Sequence, residues 1–130
     1  MAHNNAELVR NLYDAFRSGD MPTIERLLAD SVTWHAPGRG QNAGIRRGKA
    51  ELYAAMGKLA ELTGGTLGAE IHDVLANEHH AVIIQTTRGN RQGFVPLEDR
   101  EVTVFRIADG KVAEVWEHPG DLYAMDAFFS

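Results

Sequence analysis

The chain has 130 residues, 44% of them hydrophobic and 24% charged, a composition that suits one globular domain, expected to span 1–130, able to bury most of its apolar surface. A formal net charge of −5 without a basic stripe argues against a nucleic-acid partner, and the lack of Cys excludes disulfides, thiolate zinc sites and cysteine nucleophiles. The opening MAHNNAELVR is too polar for a signal peptide, and no run approaches the roughly eighteen apolar residues a membrane span needs, so a cytoplasmic protein without membrane contact is expected.

Leu8, Val9, Leu12, Tyr13 and Phe16 recur at helical spacing until Ser18-Gly19-Asp20 stops them. Pro22 opens a second short helix with Ile24, Leu27 and Leu28 on its apolar side, closed by Ala29-Asp30-Ser31. Val32 to Ala36 is a short strand in which Val32, Trp34 and Ala36 alternate with Thr33 and His35. GRGQNAGIRRG is a loop with one short strand near Ile45, and Lys49 to Leu62 is a third helix striped by Leu52, Met56 and Leu59. Thr66 to Ala76, His79 to Gly89, Arg91 to Ile107 and Lys111 to His118 follow as a four-stranded meander, and Asp121 caps a terminal helix carrying Leu122, Met125, Phe128 and Phe129. Helices first and antiparallel strands later is the α+β pattern, a curved sheet folded over a long helix with room for a cavity between them.

The last two strands meet across Asp109-Gly110, a dipeptide suited to a tight hairpin turn. A three-residue loop of Ala108, Asp109 and Gly110 puts Thr103, Phe105 and Ile107 on one face with Ala113, Val115 and Glu117. Val102, Val104, Arg106, Glu114, Trp116 and His118 then share the other. A two-residue turn slips the pairing by one, so that Glu117 joins Val102 and Val104 while Trp116 joins Thr103. Both registers leave two largely apolar faces. Under the first, Val102, Val104 and Trp116 cannot reach the helices, and a second copy of the chain is expected to cover them in a homodimer, with Arg106 and Glu114 available for pairs that orient the two sheets.

LVRNLYDAFRSGDMPTIERLLADSVTWHAPG, IRRGKAELYAAM and VTVFRIADGKVAEVWE, in that order and over nearly the whole chain, resemble nuclear transport factor 2-like (NTF2-like) proteins of the SnoaL-like branch. The resemblance implies a cone-shaped α+β half-barrel, its curved antiparallel sheet wrapped over N-terminal helices around an apolar cavity, and usually a homodimer through the outer sheet face. Members include ketosteroid isomerases, polyketide cyclases, limonene-epoxide hydrolases, dehydratases and many non-enzymes, so the fold leaves function open. The ketosteroid isomerase positions fall on Leu12, Ala36 and near Thr103, none of which supplies the base and buried donors that reaction needs. The epoxide-hydrolase positions fall on Trp34 and Ala36, approximately on Thr86 and Arg88, and on Glu117; the polyketide-cyclase acid, which follows a Trp, is matched by Trp116-Glu117 with one extra methylene.

Glu117 is therefore the acid carried over, and in an apolar cavity desolvation would raise its pKa toward neutrality, where a carboxyl can both take and give a proton. The alternative is a strand Glu ion-paired at the rim of the sheet. Arg88 and a tyrosine hydroxyl are candidates to polarise a substrate oxygen, and His35 is a second candidate acid/base group if a bulge turns it inward. The expected pocket is lined by Tyr13, Trp34, Tyr53, Ile84, Thr86, Thr103, Phe105, Val115 and Glu117. No metal-ligand spacing appears among the six His, so neither metal nor cofactor is expected. The implied partner is a small, mostly hydrophobic carbonyl or polyketide-like compound, converted by cyclisation, isomerisation or hydration and dehydration; the alternative is a binding or carrier protein that holds such a molecule without chemistry.

Overall fold

The computed structural model describes residues 2–130. In chain order the elements are α1 (Ala2–Ser18), α2 (Met21–Leu27), β1 (Leu28–Ala36), β2 (Gly44–Arg47), α3 (Gly48–Leu62), β3 (Gly68–Ala76), β4 (His80–Gly89), β5 (Leu97–Ala108), β6 (Lys111–Pro119) and α4 (Leu122–Phe128). The strands form one six-stranded open sheet in the order β2-β1-β6-β5-β4-β3, antiparallel throughout except where β1 runs parallel to β6. Among the described residues, no helix is long and apolar enough to cross a membrane.

Local chemistry sets the helix starts. The Asp20 carboxylate accepts from the Thr23 amide and hydroxyl at 3.3 and 2.6 Å, with Pro22 in the first turn of α2, and Asp121 accepts from the Ala124 amide at 3.0 Å to begin α4. Most boundaries fall within two residues of the sequence expectation, and two strand starts differ by more. β1 starts at Leu28, running through Ala29-Asp30-Ser31, because Leu28 and Val32 are both fully buried in the core, and β5 starts at Leu97, leaving Arg91 to Pro96 as a connection.

Val9, Leu12, Ile24, Leu28, Val32, Ile83, Phe105, Val112 and Val115 are almost wholly buried between α1, α2 and the sheet. Full burial of each such side chain is worth roughly 1.5–3 kcal/mol. A smaller cluster of Leu97, Met125, Phe128 and Phe129, backed by Leu59, Leu62 and Leu67, seats α4 at the other end. α3 packs on β1 and β2 with Leu52 buried, while Met56 and Leu59 are half-buried, each against one of the two clusters and each also lining the space between α3 and the sheet.

The hairpin takes the turn of one expected register and the faces of the other. Asp109 (φ 54) and Gly110 (φ 72) form a two-residue turn, with Ala108 paired to Lys111. Ala113 is then an extra residue in β6, a bulge that moves the pairing by one and sets Glu117 opposite Thr103 and Trp116 opposite Val104. On the inner face this aligns Glu117 with Thr103, Glu101 with Gln85, and Asp99 with Thr87. On the outer face Leu75, Val82, Val104, Trp116, His35 and Ile45 are consecutive cross-strand partners, a row that spans all six strands. The Arg106–Glu114 pair, 3.5 Å apart on the same face, closes within the chain.

Candidate active site

A cavity of about 1010 Å³ lies between α1, α3, α4 and the inner face of the sheet. Phe16, Leu52, Met56, Leu59, Met125 and Phe129 give it apolar walls, while its sheet side carries Gln85, Glu101, Thr103 and Glu117. Apolar walls around a few convergent polar groups are what small-molecule sites share.

Strand alternation turns Trp34 inward on β1, where its ring packs edge-on against Phe16 and Phe105 at 6.2 and 6.3 Å between centroids. Its indole Nε1 donates to Glu117 Oε2 at 2.5 Å. Burial pushes the Glu117 pKa up, and the Trp34 hydrogen bond and the positive charge of Arg46 pull it part of the way back. Glu101, 3% exposed, stands two residues before Thr103 on the same face of β5. Its carboxyl is pushed up to about 7, chiefly by burial and further by the charges of Glu117 and Asp99, against a lowering contribution from the Thr87 hydroxyl.

A hydrogen-bond network beside the two acids joins α1 to β4 and β5. The Tyr13 hydroxyl and the Thr103 hydroxyl donate to Gln85 Oε1 at 2.8 and 3.1 Å, and Gln85 Nε2 donates to Thr87 Oγ1 at 2.9 Å. Burial raises the Tyr13 pKa far above its ordinary value, so the phenol stays a donor. Asp99 is used differently: its carboxylate accepts from the Gly120 and Asp121 amides at 3.1 and 2.9 Å and fixes the turn into α4.

Of the residues expected from sequence, the structure brings Tyr13, Trp34, Thr103 and Glu117 together at the cavity. Phe105 and Val115 are fully buried beneath it and support Tyr13 and Trp34 from behind. Ile84 and Thr86 point the other way. The inward residues of β4 are Gln85 and Thr87, one position off each, and Thr86 lies under His72, whose Nε2 is 2.7 Å from its hydroxyl. Tyr53 leaves the site altogether, donating to Glu25 Oε2 at 2.7 Å on the exposed side of α2 and α3.

His35 is on the outer face because β1 alternates regularly from Thr33 to Ala36. There its Nε2 meets Glu114 Oε2 at 2.7 Å and its ring stacks on Trp116 with centroids 5.5 Å apart, which removes it from the expected acid/base role. Arg88 reaches only the outer lip of the cavity, where Glu70 at 2.7 Å and Glu98 at 3.6 Å occupy its guanidinium. It is not placed to polarise an oxygen held at Glu117.

Sequence reading passed over Gln85, Glu101, Asn42 and Arg46, all of which line the cavity. The signal for Glu101 was present, since Asp99, Glu101, Thr103 and Phe105 share one parity along β5. Asn42 and Arg46 sit in and beside a Gly-rich loop whose course no periodicity reveals.

The SnoaL-like domain model matches residues 9–115. The structure is similar to that of Bal32a from a soil-derived mobile gene cassette, at a TM-score of 0.94 and 37% identity, covering 99% of this chain and 98% of that one. The uncharacterized protein Rv0034 of Mycobacterium tuberculosis is 31% identical over 125 residues, 95% of each chain. A SnoaL-like protein of Jannaschia sp. CCS1, proposed as a polyketide cyclase, shares the fold at a TM-score of 0.76 and 18% identity, covering 100% of this chain and 94% of its own. The chain belongs to the SnoaL-like family and has its NTF2-like α+β fold.

Proposed function

We propose that this protein is a cofactor-independent acid/base enzyme acting on a small hydrophobic carbonyl or polyketide-like compound. The observation that carries this reading is the Glu117 carboxyl, set in the wall of a cavity with apolar sides and held by the Trp34 indole, with a second carboxyl, Glu101, on the next strand. The two acids suit different roles. Burial raises both carboxyls; at Glu117 the Trp34 hydrogen bond and the charge of Arg46 oppose it, whereas at Glu101 the charges of Glu117 and Asp99 add to it.

Glu117 as base takes a proton from the carbon beside a carbonyl, and the C–H electrons pass to the carbonyl oxygen as an enolate. Return of that proton to another carbon isomerises the compound, and attack of the enolate on a second carbonyl cyclises it. Protonation of a departing hydroxyl by Glu101 dehydrates it. Trp34 offers a ring face against which a planar substrate can lie. The Jannaschia protein proposed as a polyketide cyclase supports this reading through its shared fold.

The test is exchange of carbon-bound protons for deuterium in a panel of hydrophobic ketones and poly-β-ketones, followed by NMR. Glu117→Gln keeps an oxygen to accept the indole N–H but removes the titration, and should slow exchange at least ~10²-fold. Undiminished exchange in that variant would overturn the assignment, and binding of the panel without any exchange by the wild type would make the protein a carrier.

The same reading includes a homodimer through the outer sheet face. The row from Leu75 to Ile45, with Val102 at 38% exposure beside it, is an apolar stripe that a two-fold partner would cover.

A further inference from the structure

Removing a proton beside a carbonyl places negative charge on the substrate oxygen, and that charge needs donors fixed in advance. Arg88 does not supply them, but β2 and the loop before it do. Arg46 pairs with Trp34 across β1 and β2, and its neighbours Ile45 and Arg47 are exposed, so Arg46 is the inward side chain of that short strand. Its guanidinium folds back along the strand over Gly44, whose φ of 136° is open to glycine and where any Cβ would collide with Arg46 Nη1. Among the described residues Arg46 has no carboxylate partner; its one hydrogen bond runs from Nη2 to the Asn42 carbonyl at 3.5 Å, the limit of such contacts.

Asn42, 8% exposed, lines the same end of the cavity. Its Oδ1 is sealed without a partner beside Gly40, where a Cβ would also touch Phe129. The amide nitrogen is therefore the end that meets the cavity. A guanidinium beside Trp34 and Glu117 and, next to that guanidinium, an amide N–H, neither committed to an acid, are suited to a ligand that brings acceptor oxygens and negative charge.

We infer that Arg46 and Asn42 form a binding subsite for a carboxylate, and that the ligand of this cavity is an apolar molecule bearing one. Its apolar body lies along Phe16, Leu52, Met56 and Leu59, and its carboxylate meets the guanidinium with two oxygens. This orients the carbon under attack toward Glu117, and the same donors receive charge that spreads onto the oxygens as a proton leaves. The inference rests on the acid/base reading for its catalytic part, but binding tests it without turnover.

The experiment compares 2-naphthoate with methyl 2-naphthoate by calorimetric titration of the full chain. The wild type should prefer the acid by about tenfold or more, the scale of one charge-assisted contact. Arg46→Gln should bring the ratio near one, and Gly44→Ala, which puts a methyl where the guanidinium lies, should do the same with the positive charge still in the chain. Glu117→Gln should keep or tighten binding of the acid, since it removes a neighbouring carboxylate. Equal binding of acid and ester by the wild type, no binding of the acid at millimolar concentration, or an intact preference in either Arg46→Gln or Gly44→Ala would overturn the inference. A preserved acid preference together with undiminished proton exchange in Glu117→Gln would instead retire the acid/base reading and leave the subsite standing.

Discussion

Trp34 Nε1 and Glu117 Oε2 lie 2.5 Å apart, so the side chain of one strand holds the carboxyl of the next from inside the cavity. Trp34→Phe keeps an aromatic ring against Phe16 and Phe105 but takes the donor away. The Glu117 pKa, already raised by burial, should rise further, because one of the two contributions that pull it down is lost. A base works only when ionised, so the pH at which proton exchange reaches half its maximum should move upward in the variant. An unmoved pH profile would show that the indole does not stabilise the anion.

Glu101 makes stability depend on pH in a direction opposite to most carboxylates. Its pKa of about 7 in the folded state lies above the ordinary value of 4.5, so the folded chain binds the extra proton. The stabilising contribution is complete below about pH 4.5 and is lost as pH rises through 7. Glu101→Gln should flatten this slope and make the protein more stable at pH 8 by about 1–3 kcal/mol. Chemical denaturation of both chains at pH 5 and pH 8 reads it directly, and parallel slopes would contradict the assignment.

Asp99→Ala should loosen α4 specifically. It leaves the Gly120 and Asp121 amides without their acceptor at a part-buried position, a cost of about 0.5–1.5 kcal/mol for each lost hydrogen bond. Hydrogen exchange of 120–129 should accelerate well beyond that of β4 and β5. Uniform acceleration over the whole chain would indicate general destabilisation in place of a local tether.

Trp116→Arg should weaken the proposed dimer, since it puts a charge in the middle of the apolar row on the outer face. Light scattering should find a dimer for the wild type at micromolar concentration and a larger monomer fraction for the variant, with unchanged circular dichroism. A monomeric wild type would refute the assembly.

How far the sequence could be read depended on where the information resides. Period-two and helical spacing are local, and they located all the helices and the strands from Thr66 onward. The inward position of Trp34 and the outward position of His35 followed from the same alternation. Ile84 and Thr86 were misplaced because β4 is apolar or β-branched on both faces, so its pattern does not say which parity faces the helices. Tyr53 was misjudged because helical spacing gives a stripe and not its partner, and here a carboxylate on α2 captures the hydroxyl. Arg46 depended on a glycine two residues earlier leaving space for a guanidinium, a relation visible only once the backbone is placed.

The extra residue at Ala113 is what lets a tight turn and a hollow cavity coexist, since residues that sit opposite each other across two strands share a face. Drawn into the ladder opposite Arg106, Ala113 would shift every later pairing by one, setting Trp116 against Thr103 inside and Glu117 against Val102 outside. The indole would then fill a volume where a small molecule now fits, and the row that crosses the outer face would be broken by an acid. Loss of the single codon for Ala113 would do none of this: Arg106 would still meet Glu114 and Thr103 would still meet Glu117, with only the bulge straightened. Relatives with hairpins of unequal length should therefore be compared by cross-strand partner, not by residues counted from the turn, before any of their acids are equated.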